Sequence, residues 1–84
     1  MPERGERFPR PTKSLDCIGL YCPEPVFRTR ETISEVPIGD VLEVLADDPA
    51  SESDIASWAK HAGQEILGIE KVDGGLRFLI RRKA

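Results

Sequence analysis

"DVLEVLADDPASESDIASWAKHAG", residues 40–63, changes its hydrophobic period halfway along. Val41, Leu42, Val44, Leu45 and Ala46 form a nearly continuous apolar run, the pattern of a central strand. Beyond Asp47 the period becomes helical: Ile55, Trp58, Ala59 and Ala62 make one apolar stripe. Pro49 is placed at the first helical position behind Asp48 as the cap, and Gly63 closes the helix. A central strand running into a helix is half of a crossover unit, so the flanking segments decide the architecture.

On the N-terminal side, "LDCIG" (15–19) alternates Leu15 and Cys17 against Asp16 and Ile18. This predicts a short strand ended by Gly19, with Cys17 facing the core. From Pro23 the spacing of Val26, Thr29, Ile33 and Val36 predicts a helix, stopped by Pro37 and Gly39. On the C-terminal side, "EILGIEKV" and "LRFLIRR" flank Asp73-Gly74-Gly75, a hairpin signal whose turn requires positive φ angles. The order is β-α-β-α-β-β. It predicts an α/β, two-layer sandwich with two helices on one face of a four-stranded mixed sheet and the other face at least partly wet. Residues 1–14, with three prolines, six charges and Phe8 as the only bulky apolar residue, read as a mobile tail; the domain is residues 15–84.

Charge and cysteine usage narrow the function. The net charge of −3 divides unevenly: residues 1–14 carry four basic and two acidic groups, leaving eight basic and thirteen acidic groups, or −5, for the rest. Such an acidic domain lacks the clustered cations with which proteins displace counterions from nucleic acid. No apolar run is long enough to span a bilayer, and the N-terminus has no signal-peptide pattern, so a cytoplasmic location is the expectation. Two cysteines and one histidine, His61, are too few for a disulfide framework or a structural zinc site.

The remaining cysteine lies in "GLYCPEPV" (19–26). Cys22 falls outside both apolar stripes, where a loop turns into the first helix, and is expected to be exposed. Unpaired amides at a helix N-terminus lower thiol pKa values, which favours thiolate. Pro23 and Pro25 stiffen the backbone around the sulfur but also remove amides, so a rigid, exposed sulfur is the safer inference than a very acidic one. A disulfide with Cys17 is sterically allowed and not demanded.

"LDCIGLYCPEPV", with "VLEVLADDPASESDIASWAKHAG" and the closing "FLIRR", resembles the TusA/SirA family of small sulfur-carrier proteins over residues 15–82. The Cys-Pro-x-Pro motif is met by Cys22, Pro23, Glu24 and Pro25, behind Gly19, and an Asp-Asp-Pro-Ala signature by Asp47 to Ala50. The resemblance implies a βαβαββ fold and a sulfurtransferase-type carrier, in which Cys22 takes sulfane sulfur as a persulfide. It implies no resident cofactor, only that transient persulfide. The implied partners are a donor protein (a cysteine desulfurase or a rhodanese-like protein) and an acceptor protein. Direct nucleic-acid or membrane contact is not expected. The destination, whether tRNA thiolation, molybdenum-cofactor maturation or sulfur oxidation, is set by those partners.

Other residues receive two readings each. Arg30 matches a basic, partner-facing position of the family helix, or is a solvated charge beside Glu31 and Ser34. Asp47 and Asp48 are capping residues, or border Cys22. Trp58 reads as core and His61 as surface. The competing functional class is a redox-sensing or regulatory interaction module using the Cys22 thiol. A self-sufficient thiol hydrolase finds no base near Cys22.

Overall fold

A computed structural model describes residues 10–84. The elements follow the expected order: β1 (Lys13–Cys17), α1 (Glu24–Ile33), β2 (Val41–Ala46), α2 (Ser51–Ala62), β3 (Glu65–Val72) and β4 (Gly75–Arg81). The mixed sheet has the spatial order β1-β2-β4-β3, with β1 parallel to β2 and the other neighbours antiparallel. Both helices pack on the sheet, as an α/β sandwich requires.

β2 is central because it can be buried on both sides: Leu42, Val44 and Ala46 join the main core, while Val41 is buried as well. Cys17, Phe78 and Ile80 complete the sheet's contribution, and Ile33 and Ile55 bring the helices onto it. Burying side chains of this size stabilises the fold by roughly 1.5–3 kcal/mol each. The opposite face of the sheet is mixed, with Val41 and Leu79 buried beside polar residues. There Arg77 bridges Glu43 and Glu70, and the Ser14 hydroxyl donates to Glu43. Burial pushes the Glu43 carboxyl up, but the Ser14 and Arg77 hydrogen bonds outweigh it and hold the group below its ordinary range.

Several boundaries differ from the sequence expectation. β1 begins at Lys13, and Thr12 N–H already donates to Val41 O at 2.7 Å, so the last residues assigned to the tail belong to the sheet. The tail reading for residues 1–9 lies outside the described residues. α1 starts at Glu24 instead of Pro23 and ends at Ile33. Val36 is nevertheless fully buried, because the turn after the helix folds it back onto the core. Pro25 adds itself to the buried face, since an imino ring in the first turn needs no hydrogen bond.

α2 starts at Ser51, with Ala50 as a cap that offers no side-chain acceptor. Pro49 therefore belongs to the preceding turn, and the Asp48 carboxylate accepts from the Ala50 N–H at 3.2 Å just ahead of the helix. α2 does close at Gly63.

The hairpin also departs in detail. Asp73 keeps a negative φ and only Gly74 is positive, at +82°. Gly75 is needed for space: a Cβ there would lie 2.5 Å from Ala46 O and 3.2 Å from the Asp47 Cβ. The hairpin thus packs directly on the end of β2. Gly75→Ala should cost about 1–3 kcal/mol, since the clash is with backbone and forces β4 away from β2. Urea unfolding is the check; an unchanged midpoint would show that the contact yields freely.

Candidate functional site

The loop between β1 and α1 is organised by aspartates from the far side of the sequence. Parallel pairing sets Cys17 opposite Ala46, so the chain leaving β1 and the chain leaving β2 emerge side by side. Gly19 turns back with φ +87°, a conformation that L side chains rarely adopt. Its N–H donates to Asp47 Oδ1 at 2.9 Å. Three residues later Cys22 N–H donates to Asp48 Oδ2 at 2.5 Å, and Asp48 Oδ1 accepts from Ala50 N–H at 3.2 Å. Asp47 and Asp48 therefore border Cys22 and tie its loop down, while Asp48 also keeps a cap-like contact on the turn entering α2.

Cys22 is exposed and Cys17 fully buried, and both are free thiols. The Cys22 Sγ donates to Asp54 Oδ2 at 2.9 Å. That hydrogen bond, with a smaller desolvation effect and the charges of Asp54 and Asp48, raises the thiol pKa above its ordinary value. The rigid, exposed sulfur expected in preference to a very acidic one is what these contacts produce, and the lowering influence of a helix N-terminus does not prevail. Pro23 and Pro25 have no N–H. The Glu24 N–H is spent on Tyr21 O at 2.8 Å, and the Phe27 N–H on Pro23 O at 3.1 Å. The first turn of α1 consequently offers the sulfur little positive potential. The Cys22–Pro23 peptide bond is cis.

Asp54 was not among the residues singled out from sequence. Its only local signal was an acidic residue in the first turns of α2, which dipole compensation explains without a site. Glu24 forms an ion pair with Arg28 at 3.2 Å, one turn along α1. Arg30 is exposed and, with Phe27 and Glu31, lines a shallow groove beside the motif; it forms no ion pair among the described residues. Val26 packs against the core, as its place in the apolar stripe of α1 predicts. Trp58 packs against the core from a half-buried position. His61 is exposed at the end of α2, its Nδ1 2.9 Å from Ser57 O. Around the loop, Ile18, Tyr21 and Phe27 expose apolar surface, Tyr21 to 77%.

The described residues form a βαβαββ sandwich that presents one free, exposed cysteine on a braced Cys-Pro-x-Pro loop, the build of a small thiol-presenting protein. The comparisons specify the class: the family model described as "Sulfurtransferase TusA" matches residues 13–82, and the chain belongs to that family. A protein of Archaeoglobus fulgidus named "Putative sulfur carrier protein" is 56% identical over 70 residues, covering 82% of this chain and 91% of that one. A protein of Aquifex aeolicus with the same name is 48% identical over 62 residues, 74% of this chain but 32% of its own length. The crystal structure of a SirA-like protein from Desulfitobacterium hafniense superposes with a TM-score of 0.68 at 28% identity, covering 86% of this chain and 99% of that chain. The family and fold suggested by the motifs are therefore correct.

The two loop anchors are separable. In Asp48→Ala the Cys22 amide should exchange with solvent faster, reflecting about 1–2 kcal/mol less local protection, while the Gly19 amide changes little. Asp47→Ala should show the reverse. Amide exchange by NMR reads both; equal loss at both amides in either variant would mean that the loop opens as one unit.

Proposed function

We propose that this protein relays sulfur as a persulfide on Cys22. The observation that carries the proposal is the contrast between the two thiols: Cys22 is exposed on a backbone held by Asp48, while Cys17 is sealed in the core. In the loading step the Cys22 sulfur, as thiolate, attacks the terminal sulfur of a donor persulfide. An Sγ–S bond forms as the donor's S–S bond breaks, and the donor cysteine leaves as thiolate and takes up the proton. Sulfur moves with no net oxidation. Delivery repeats the exchange with an acceptor's nucleophile.

Such a carrier works through two protein partners, a donor of the cysteine desulfurase or rhodanese-like kind and an acceptor. Exposed Ile18, Tyr21 and Phe27 beside Cys22 suit brief docking of both, since apolar groups around a reactive atom exclude water when covered. The chemistry is common to tRNA thiolation, molybdenum-cofactor and sulfur-oxidation routes, which differ in the proteins that dock. A thiol-based relay requires a reducing compartment such as the cytoplasm; among the described residues no helix is long and apolar enough to cross a membrane. A sensor built on a Cys17–Cys22 disulfide fits less well, because Cys17 would have to leave the core.

Intact mass after incubation with a cysteine desulfurase and cysteine is the direct test. Wild type should gain about one sulfur atom, removable by reductant. Cys22→Ala should gain none and remain folded. Cys17→Ala should load normally at a stability cost of about 1 kcal/mol for the lost core volume. Loading of Cys22→Ala, or no loading of wild type from either a desulfurase or a rhodanese with thiosulfate, would refute the carrier assignment.

A further inference from the structure

We propose that Asp54 is a positioning residue that holds the unloaded Cys22 as a protonated thiol docked on α2, shielding the resting carrier from small electrophiles. The inference rests on the persulfide reading above and assigns a role to a residue outside the Cys-Pro-x-Pro motif.

The geometry is specific. Asp54 is the fourth residue of α2, and its own N–H bonds to Ala50 O at 3.0 Å, so the helix backbone fixes where the carboxylate stands. It reaches across 32 positions of sequence to meet Sγ at 2.9 Å. An ionised carboxylate can only accept, so this contact exists only while the sulfur keeps its proton. Removing that proton would place two like charges in contact.

The charged groups acting on the sulfur are two carboxylates: Asp54 belongs to α2 and Asp48, on the Cys22 amide, to the loop before it. On α1 Glu24 is engaged by Arg28 at 3.2 Å. Both aspartates oppose thiolate formation, and Asp54 alone makes the hydrogen bond.

The chemical consequence is selectivity by encounter. A small reagent in solution meets a neutral thiol whose S–H is occupied. A docked donor changes the surroundings: by bringing cationic or hydrogen-bonding groups to Asp54 and Asp48, it frees the sulfur for attack. A resting carrier therefore keeps its thiol until a partner covers the site.

The test is the pH dependence of iodoacetamide alkylation at Cys22, followed by intact mass on the reduced full chain. Asp54→Asn keeps the shape of the side chain and removes its charge. Its alkylation midpoint should move to lower pH, and at pH 7 alkylation should be about three- to fourfold faster for each unit moved, because the roughly tenfold gain in thiolate is partly offset by its lower nucleophilicity. Asp48→Asn, which leaves Sγ–H···Oδ2 intact, should shift the midpoint less. Asp54→Ala supplies the same comparison should the asparagine variant fold poorly. An unchanged midpoint on neutralising Asp54, or an equal or larger shift from Asp48→Asn, would overturn the proposal. Alkylation requires no sulfur donor, so this outcome is independent of whether the protein loads sulfur.

Discussion

Everything at the candidate site depends on the parallel pairing of β1 with β2. Cys17 lies opposite Ala46 at the last rung of that ladder, so two loops far apart in sequence leave the sheet at the same edge and in the same direction. A crossover helix is what allows a parallel pair, and α1 is that crossover. Its start is therefore compelled to lie above the end of β2, next to the Asp47–Asp48 turn. The core supports the arrangement from below: Cys17 and Ala46 are both fully buried, and Gly75 brings the hairpin against the same strand end without a side chain between them. The loop that carries Cys22 is exposed, yet its backbone is fixed at Gly19 and at Cys22 by carboxylates that the sheet itself places.

This arrangement separates two properties that are commonly joined in reactive cysteines. Position is tightly controlled, whereas ionisation is discouraged. The prolines of the motif remove amides that would have stabilised thiolate, and the aspartates that brace the loop add negative charge beside the sulfur. For an enzyme that must turn over unaided this would be a poor compromise. For a carrier of the proposed kind it is coherent, because a docked partner can supply the missing positive potential. Nucleophilicity also falls as thiol pKa falls, so a less acidic thiol attacks well once its proton is gone.

The surface around Cys22 fits that division of labour. Tyr21 and Phe27 expose apolar rings, Glu24 is neutralised by Arg28, and Arg30, without an ion pair among the described residues, lies in a groove with Phe27 and Glu31. The polar ladder of Arg77 with Glu43 and Glu70 lies on the opposite face of the sheet. It secures the exposed side of β2 and β4 and contributes nothing to the sulfur's surroundings.

Local pattern by itself determined the element order, the buried state of Cys17, the exposure of Cys22 and the family motif. These are consequences of hydrophobic period, of glycine and proline placement, and of short-range spacing, all of which act within a few residues. Its boundary errors share a cause: Lys13 and Val36 are placed by partners in other elements, Leu42 and the core, that a local period does not contain. Asp48 reads as a helix cap because its neighbours in sequence allow one, and it does accept from the Ala50 N–H; it is a loop anchor as well because the Cys22 amide lies beside its other oxygen. Asp54 carried no distinctive signal at all, being one acid among several at the start of α2. Only the tertiary structure decided that its carboxylate, and not a helix N-terminus, faces the sulfur, because electrostatic environment is set by distance in space and the parallel β1–β2 pair brings together charges separated by more than thirty residues.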